Sequence, residues 1–183
     1  ISNKKIIDFG CGHGNFLIAC YLTGAKHCVA VNNGTISLTL AALACGIQAG
    51  DEVIVPPLTM SAPSFSVLQA NATPVFADIE QDTFCIDPEA VESQVTGRTK
   101  AIMAVDIFGH SADMGALSKI ADKHNLKIIS DSAQAPGAEY QGKYAGTLAT
   151  VGGYSLNYHK HIHTGEGGIL VTDDLGIAER LQL

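Results

Sequence analysis

A lysine stands between two histidines in Tyr158-His159-Lys160-His161, just past a stretch patterned as a β-strand, Val151 to Ser155. A deprotonated ε-amine attacks carbonyl carbon, and partial burial or nearby positive charge makes more of it available. Most lysines are solvated, so Lys160 alone points no further. Three other segments carry complementary chemistry. Asn33-Gly34-Thr35 sits at a predicted strand-to-helix turn, where unpaired N–H groups and the helix dipole attract an anion; an ordinary Asn-Gly turn would read the same way. Asp131-Ser132-Ala133-Gln134-Ala135 follows the strand signal Leu126 to Ile129. An acid there is either a cap or a partner for a cationic nitrogen. Gly165-Glu166-Gly167-Gly168 permits positive φ and close backbone approach, and alone is only a turn.

These segments need a frame to bring them together. Short apolar runs alternate with amphipathic stretches along the chain. Strands are predicted at Lys5 to Phe9, Cys28 to Val31, Val53 to Val55, Pro74 to Ala77, Ala101 to Val105, Leu126 to Ile129, Val151 to Ser155 and Ile169 to Val171. Between them, helices are predicted over Asn15 to Leu22, Ile36 to Ile47, Ser61 to Ala70, Asp87 to Val91, Asp113 to His124 and Leu175 to Leu183, from three- and four-residue apolar spacing and from caps such as Asp87. Alternation of this kind predicts an α/β fold, with a mostly parallel sheet covered by helices on both faces. Ligands in such sheets gather at the carboxyl ends of strands, where the singled-out residues fall.

Composition sets outer limits. The 183 residues are 46% hydrophobic and 16% charged, with a net charge of −7, which suits a folded domain and argues against a nucleic-acid partner. Five cysteines without C-x-x-C spacing predict reduced thiols and a cytoplasmic setting. No apolar run is long enough to predict a membrane span. The chain opens on Ile1 and stops within a helical pattern, so both ends read as cut.

The order of the pieces is as informative as their types. From about Gly24 to Leu183 the chain resembles the sugar aminotransferases of the DegT/DnrJ/EryC1/StrS family. The resemblance runs through Val31 to Thr35, Gly50 to Pro56, Ala72 to Asp78, Phe108-Gly109, Asp131 to Gln134, and Ser-x4-Lys-x4-Gly-Glu-Gly-Gly over Ser155, Lys160 and Gly165 to Gly168. It implies the three-layer large domain of a fold-type-I enzyme dependent on pyridoxal 5'-phosphate, incomplete here because the small C-terminal domain is absent. It implies that Lys160 holds the cofactor as a Schiff base and moves the proton of the reaction. Asp131 would face the pyridine nitrogen and Gln134 the phenolic oxygen. Gly34, Thr35 and Ser155 would hold the phosphate, and Asn157 would add a polar group. The implied reaction moves an amine from an amino acid such as glutamate to a keto sugar, as a rule a nucleotide-linked one, in a homodimer when full length. The family places an aromatic residue over the cofactor ring; here Pro56-Pro57-Leu58-Thr59-Met60 offers Met60, whose thioether packs on a π face less well.

The first 26 residues stand apart from this 27–183 aminotransferase region. Ile6 to Gly14 is similar to the opening motif of methyltransferases that bind S-adenosylmethionine, in which a Gly-rich turn follows the first strand. A methyltransferase fragment and a non-catalytic cofactor-binding fragment are therefore the rival readings. His159, His161 and His163 would share one face if they lay on a strand, but without a carboxylate pair beside them no metal site is assigned.

Overall fold

The structure, a computed structural model, describes residues 5–7 and 24–181. The elements are β1 (Lys5–Ile7), β2 (His27–Val31), α1 (Gly34–Ala44), β3 (Glu52–Val55), α2 (Ala62–Gln69), β4 (Thr73–Phe76), α3 (Pro88–Gln94), β5 (Thr99–Val105), α4 (Met114–His124), β6 (Lys127–Asp131), a hairpin of β7 (Glu139–Tyr140) and β8 (Lys143–Tyr144), β9 (Val151–Ser155), β10 (Gly168–Thr172) and α5 (Leu175–Arg180). The predicted helix Asn15 to Leu22 and the glycine-rich turn Gly10 to Gly14 lie outside the described residues.

Among the described residues one eight-stranded sheet has the order β1-β2-β10-β9-β6-β5-β3-β4. Every neighbouring pair is parallel except those of β10, which runs antiparallel to both β2 and β9. Period-2 alternation explains the three layers. Val53, Val55, Ala101, Met103 and Ile129 face one side and pack with Leu38, Ala41 and Ala42 of α1. Ile54, Ile102, Ala104 and Ile128 face the other and pack with Leu117, Ile120 and Ala121 of α4. Because both faces are covered, the central strands read as continuous apolar runs. Pro74 is accommodated because β4 is an edge strand, paired only with β3.

Caps decide where the helices start and stop. Asn33 accepts the Ile36 N–H at 2.9 Å, so α1 begins at Gly34, two residues earlier than its apolar spacing suggests. It ends at Ala44, because Gly46 turns away with φ 82°, and Ile47 is buried beyond the helix end. Asp113 caps α4 through the Ala116 N–H at 3.0 Å, and Asp174 caps α5 through the Ile177 N–H at 3.0 Å. Among the described residues Cys28, Cys45 and Cys85 are thiols rather than disulfides. No helix among them is long and apolar enough to cross a membrane.

Candidate functional site

Strand ends and the β9–β10 loop converge on a cavity of about 430 Å³. Gly34, Thr35, Met60, Asp131, Gln134, Ser155, Asn157 and Lys160 all line it. Residues separated by up to 126 positions in sequence are thus brought to one place by the parallel sheet. Thr59, Gln69, His159 and Glu166 line it too.

The first turn of α1 forms one wall. Its leading N–H groups have no carbonyl four residues back to reach, so Gly34 and Thr35 present donors at the cavity edge. Gly34 is required by closeness rather than by φ: a Cβ there would stand 2.7 Å from the Ser155 Cβ. Gly168 is required for a similar reason, since its Cβ would meet the Asn33 carbonyl oxygen at 2.4 Å. These two glycines let the helix N-terminus and the β9–β10 pair meet, so the Ser155 hydroxyl lies against the anion-attracting end of the helix.

The floor is Asp131, the last residue of β6 and 5% exposed. Its Oδ1 accepts the Ala133 N–H at 3.1 Å. Burial raises its pKa to about 6, the Ala133 hydrogen bond opposes the shift, Asp106 adds to it and Lys160 opposes it. Gln134 follows in the same turn, and its Oε1 accepts the Phe108 N–H at 3.3 Å. With its oxygen engaged, the amide is left with N–H donors for the cavity. Phe108 makes this contact with φ 54°, an unfavourable conformation for a non-glycine residue.

Lys160 lies in the loop between β9 and β10. The loop is closed by the Leu156 N–H to the Gly167 carbonyl at 2.8 Å and shaped by the Lys160 N–H to the Asn157 carbonyl at 2.9 Å. Asn157 donates its amide to the Glu166 carboxylate. His159, His161 and His163 belong to this loop and not to a strand, so they do not share a strand face. Among the described residues no group of three potential ligands is arranged to hold a metal ion. Met60, after β3, is 62% exposed at the cavity mouth.

Sequence reasoning gave no role to Thr59, Gln69 or Glu166. Thr59 Oγ1 is buried with no hydrogen-bond partner among the described residues. Gln69 is joined to Thr39, whose hydroxyl lies 2.6 Å from its side-chain amide oxygen and 3.0 Å from the Thr35 carbonyl oxygen. Its position near the end of α2 offers no local signal. Glu166 lies within the Gly165-to-Gly168 run, whose local pattern signals only a turn.

An L-glutamine:2-deoxy-scyllo-inosose aminotransferase of Streptomyces lividus is 50% identical over 159 residues, covering 87% of this chain and 38% of that protein. GDP-perosamine synthase of Caulobacter vibrioides is 46% identical over 160 residues, covering 87% of this chain and 43% of that protein. In structure, the chain is similar to NtdA from Bacillus subtilis with bound cofactor PMP, with TM-score 0.84 and 32% identity over 91% of this chain and 38% of that one. The chain therefore spans about two fifths of the length of the curated relatives it matches. Residues 17–183 match the DegT/DnrJ/EryC1/StrS aminotransferase family, a match that begins ten residues before the boundary drawn at 27 from sequence. With its site residues gathered at the strand ends and this match over most of its length, the chain belongs to the DegT/DnrJ/EryC1/StrS aminotransferase family.

Proposed function

We propose that residues 27–183 form the cofactor-holding part of an aminotransferase that uses pyridoxal 5'-phosphate. The groups around the cavity fit that molecule. Gly34, Thr35 and Ser155 at the N-terminus of α1 would take the phosphate. Asp131 would pair with the ring nitrogen, and Gln134, as a donor, would meet the phenolic oxygen. Met60 would lie on the ring, and Asn157 would add a polar contact. The unpartnered Thr59 hydroxyl is a further polar atom suited to a ligand. When bound, the cofactor supplies a carbonyl for amine exchange and a ring that withdraws electrons.

The protein's own contribution is binding, orientation and proton movement. Lys160 would hold the cofactor covalently through its ε-amine, and, once displaced, carry a proton to or from the substrate carbon. Asp131, with its pKa near 6, is mostly ionised at neutral pH and would hold a proton on the ring nitrogen opposite it. Thr59, Gln69, His159 and Glu166 supply hydrogen-bonding groups of both kinds, which suits a hydroxyl-rich ring substrate.

The sequence suggested glutamate and a nucleotide-linked keto sugar. The relatives' names put L-glutamine and an inosose first, with a nucleotide-linked sugar second. We place the working enzyme as a homodimer acting on small molecules, an amino acid and a ring ketone. The single observation carrying the reading is that Lys160 and Asp131 line the same cavity as the first turn of α1.

The test is spectroscopic and then catalytic. Purified protein given pyridoxal phosphate should show the visible band of lysine-bound cofactor, and Lys160→Ala should lack it. A band unchanged in the variant refutes the assignment. Amine transfer from L-glutamine to 2-deoxy-scyllo-inosose is then assayed. A band without transfer selects a second reading, cofactor binding without turnover.

A further inference from the structure

Behind the floor of the cavity lies a second carboxylate that the proposed chemistry does not use. Asp106 follows Val105, the residue that pairs with Asp131 across β5 and β6. It is 0% exposed. Its Oδ1 accepts the Ala112 N–H at 3.0 Å. Its Oδ2 accepts the Ser130 hydroxyl at 2.7 Å and the Ser132 hydroxyl at 2.6 Å. Its own N–H donates to the Asp131 carbonyl oxygen at 2.9 Å. Each residue of Ser130-Asp131-Ser132 is therefore tied to Asp106.

The donor pattern suits a carboxylate. The two serine oxygens are 3.0 Å apart, farther from each other than either is from Oδ2. Both hydroxyl protons are best used on Oδ2, and with the Ala112 N–H on Oδ1 the carboxylate receives three donors. Burial is the larger effect and pushes the Asp106 carboxyl above the usual carboxylate range, while the Ser132, Ser130 and Ala112 donors oppose it by favouring the ionised form. The titratable groups facing this pair are Asp131 itself, Lys160 on the cavity side of Asp131, and the Cys85 thiol near Asp106.

We propose that Asp106 is a positioning residue that remains ionised and acts through Asp131, setting a second negative charge beneath the cavity floor so that the site selects a cationic ring nitrogen. The proposal rests on the cofactor reading above. Repulsion between the two buried carboxylates is relieved when a cation lies over Asp131, so ligand binding and ring protonation become coupled.

Asp106→Asn tests this with little change of shape. Its amide oxygen can take the Ala112 N–H, and its NH2 can donate to the serine hydroxyls, which then act as acceptors. The readout is the pH titration of the visible band of lysine-bound pyridoxal phosphate, with thermal melting as the control for folding. The midpoint should move to lower pH by on the order of one unit, and cofactor affinity should fall roughly tenfold. A midpoint equal to wild type in a folded variant overturns the proposal. If Asp106→Asn fails to fold, Ser132→Ala replaces it: with one donor fewer, Asp106 takes a proton more readily, so a smaller shift in the same direction is expected. An unchanged midpoint there is equally fatal. Wild-type protein that takes up no pyridoxal phosphate sinks the cofactor reading and this one with it, whereas uptake without a shift sinks this one alone.

Discussion

The floor and the rim of the cavity are built on opposite terms. At the floor, Asp106, Ser130 and Ser132 are 0% exposed, Asp131 is 5% exposed, and the two carboxylates are held by neighbouring hydroxyls or N–H groups. At the rim, His159, His161, His163 and Glu166 are exposed, and Met60 is 62% exposed. Charge taken out of water must be hydrogen-bonded or the fold loses several kcal/mol, so the floor is also part of the scaffold. Side chains at the rim carry no such obligation. They can be chosen for what they do to a ligand.

The comparison is tested most severely at Lys160. Lys160→Ala should lower kcat/KM at least about a thousandfold, roughly 4 kcal/mol, while denaturant unfolding of the cofactor-free protein stays within about 0.5 kcal/mol of wild type. A large stability loss would mean that the rim is structural after all. Ser132→Ala should do the converse to the fold: about 1–3 kcal/mol lost in urea unfolding, because a buried carboxylate loses a donor. Asn157→Ala, at the rim, should cost about 0.5 kcal/mol or less in the same measurement.

Acid should then separate binding from folding. Asp131 has its pKa raised by burial to about 6. Below that pH it is protonated and cannot pair with a cationic nitrogen, so pyridoxal phosphate affinity should fall by up to about tenfold per pH unit. Asp131→Asn should flatten that part of the dependence in a fluorescence titration. Stability of the cofactor-free protein should change with the opposite sign. The folded state binds this proton at a higher pH than the unfolded chain does, so from about pH 4 to 6 Asp131 makes stability fall as pH rises. The smallest effect belongs to Met60. Met60→Phe should tighten cofactor binding by about 0.5–1.5 kcal/mol, measured by the same titration, because a flat ring stacks better than a thioether.

The floor was legible in sequence only in part. Asp131 announced itself as an acid after an apolar strand, and Asp87 as a cap before a short helix. Asp106 did not, although it too follows an apolar strand, because its three partners come from positions 112, 130 and 132 and no local pattern links them. Gly34 and Gly168 could be recognised as turn glycines, but the contact that requires them joins segments more than 120 residues apart. The reversed direction of β10 was equally hidden, since an apolar run reads the same in either orientation. Met60 and the Ser155-to-Gly168 segment were singled out through the resemblance to the family's motifs, which are runs of neighbouring residues.

That reversed strand has a consequence for how the protein is assembled. β9 and β10 form a hairpin, Ser155 paired with Gly168, and Lys160 rides on the twelve-residue connection between them. A short connection closes with little entropy, so the arm that carries the amine can take shape from neighbouring chain alone. The acids beneath it require β5 and β6 to pair in parallel across a helical crossover, a slower kind of contact. Lys160 is thus carried by a local pairing, whereas the acids beneath it are brought together by a long-range one.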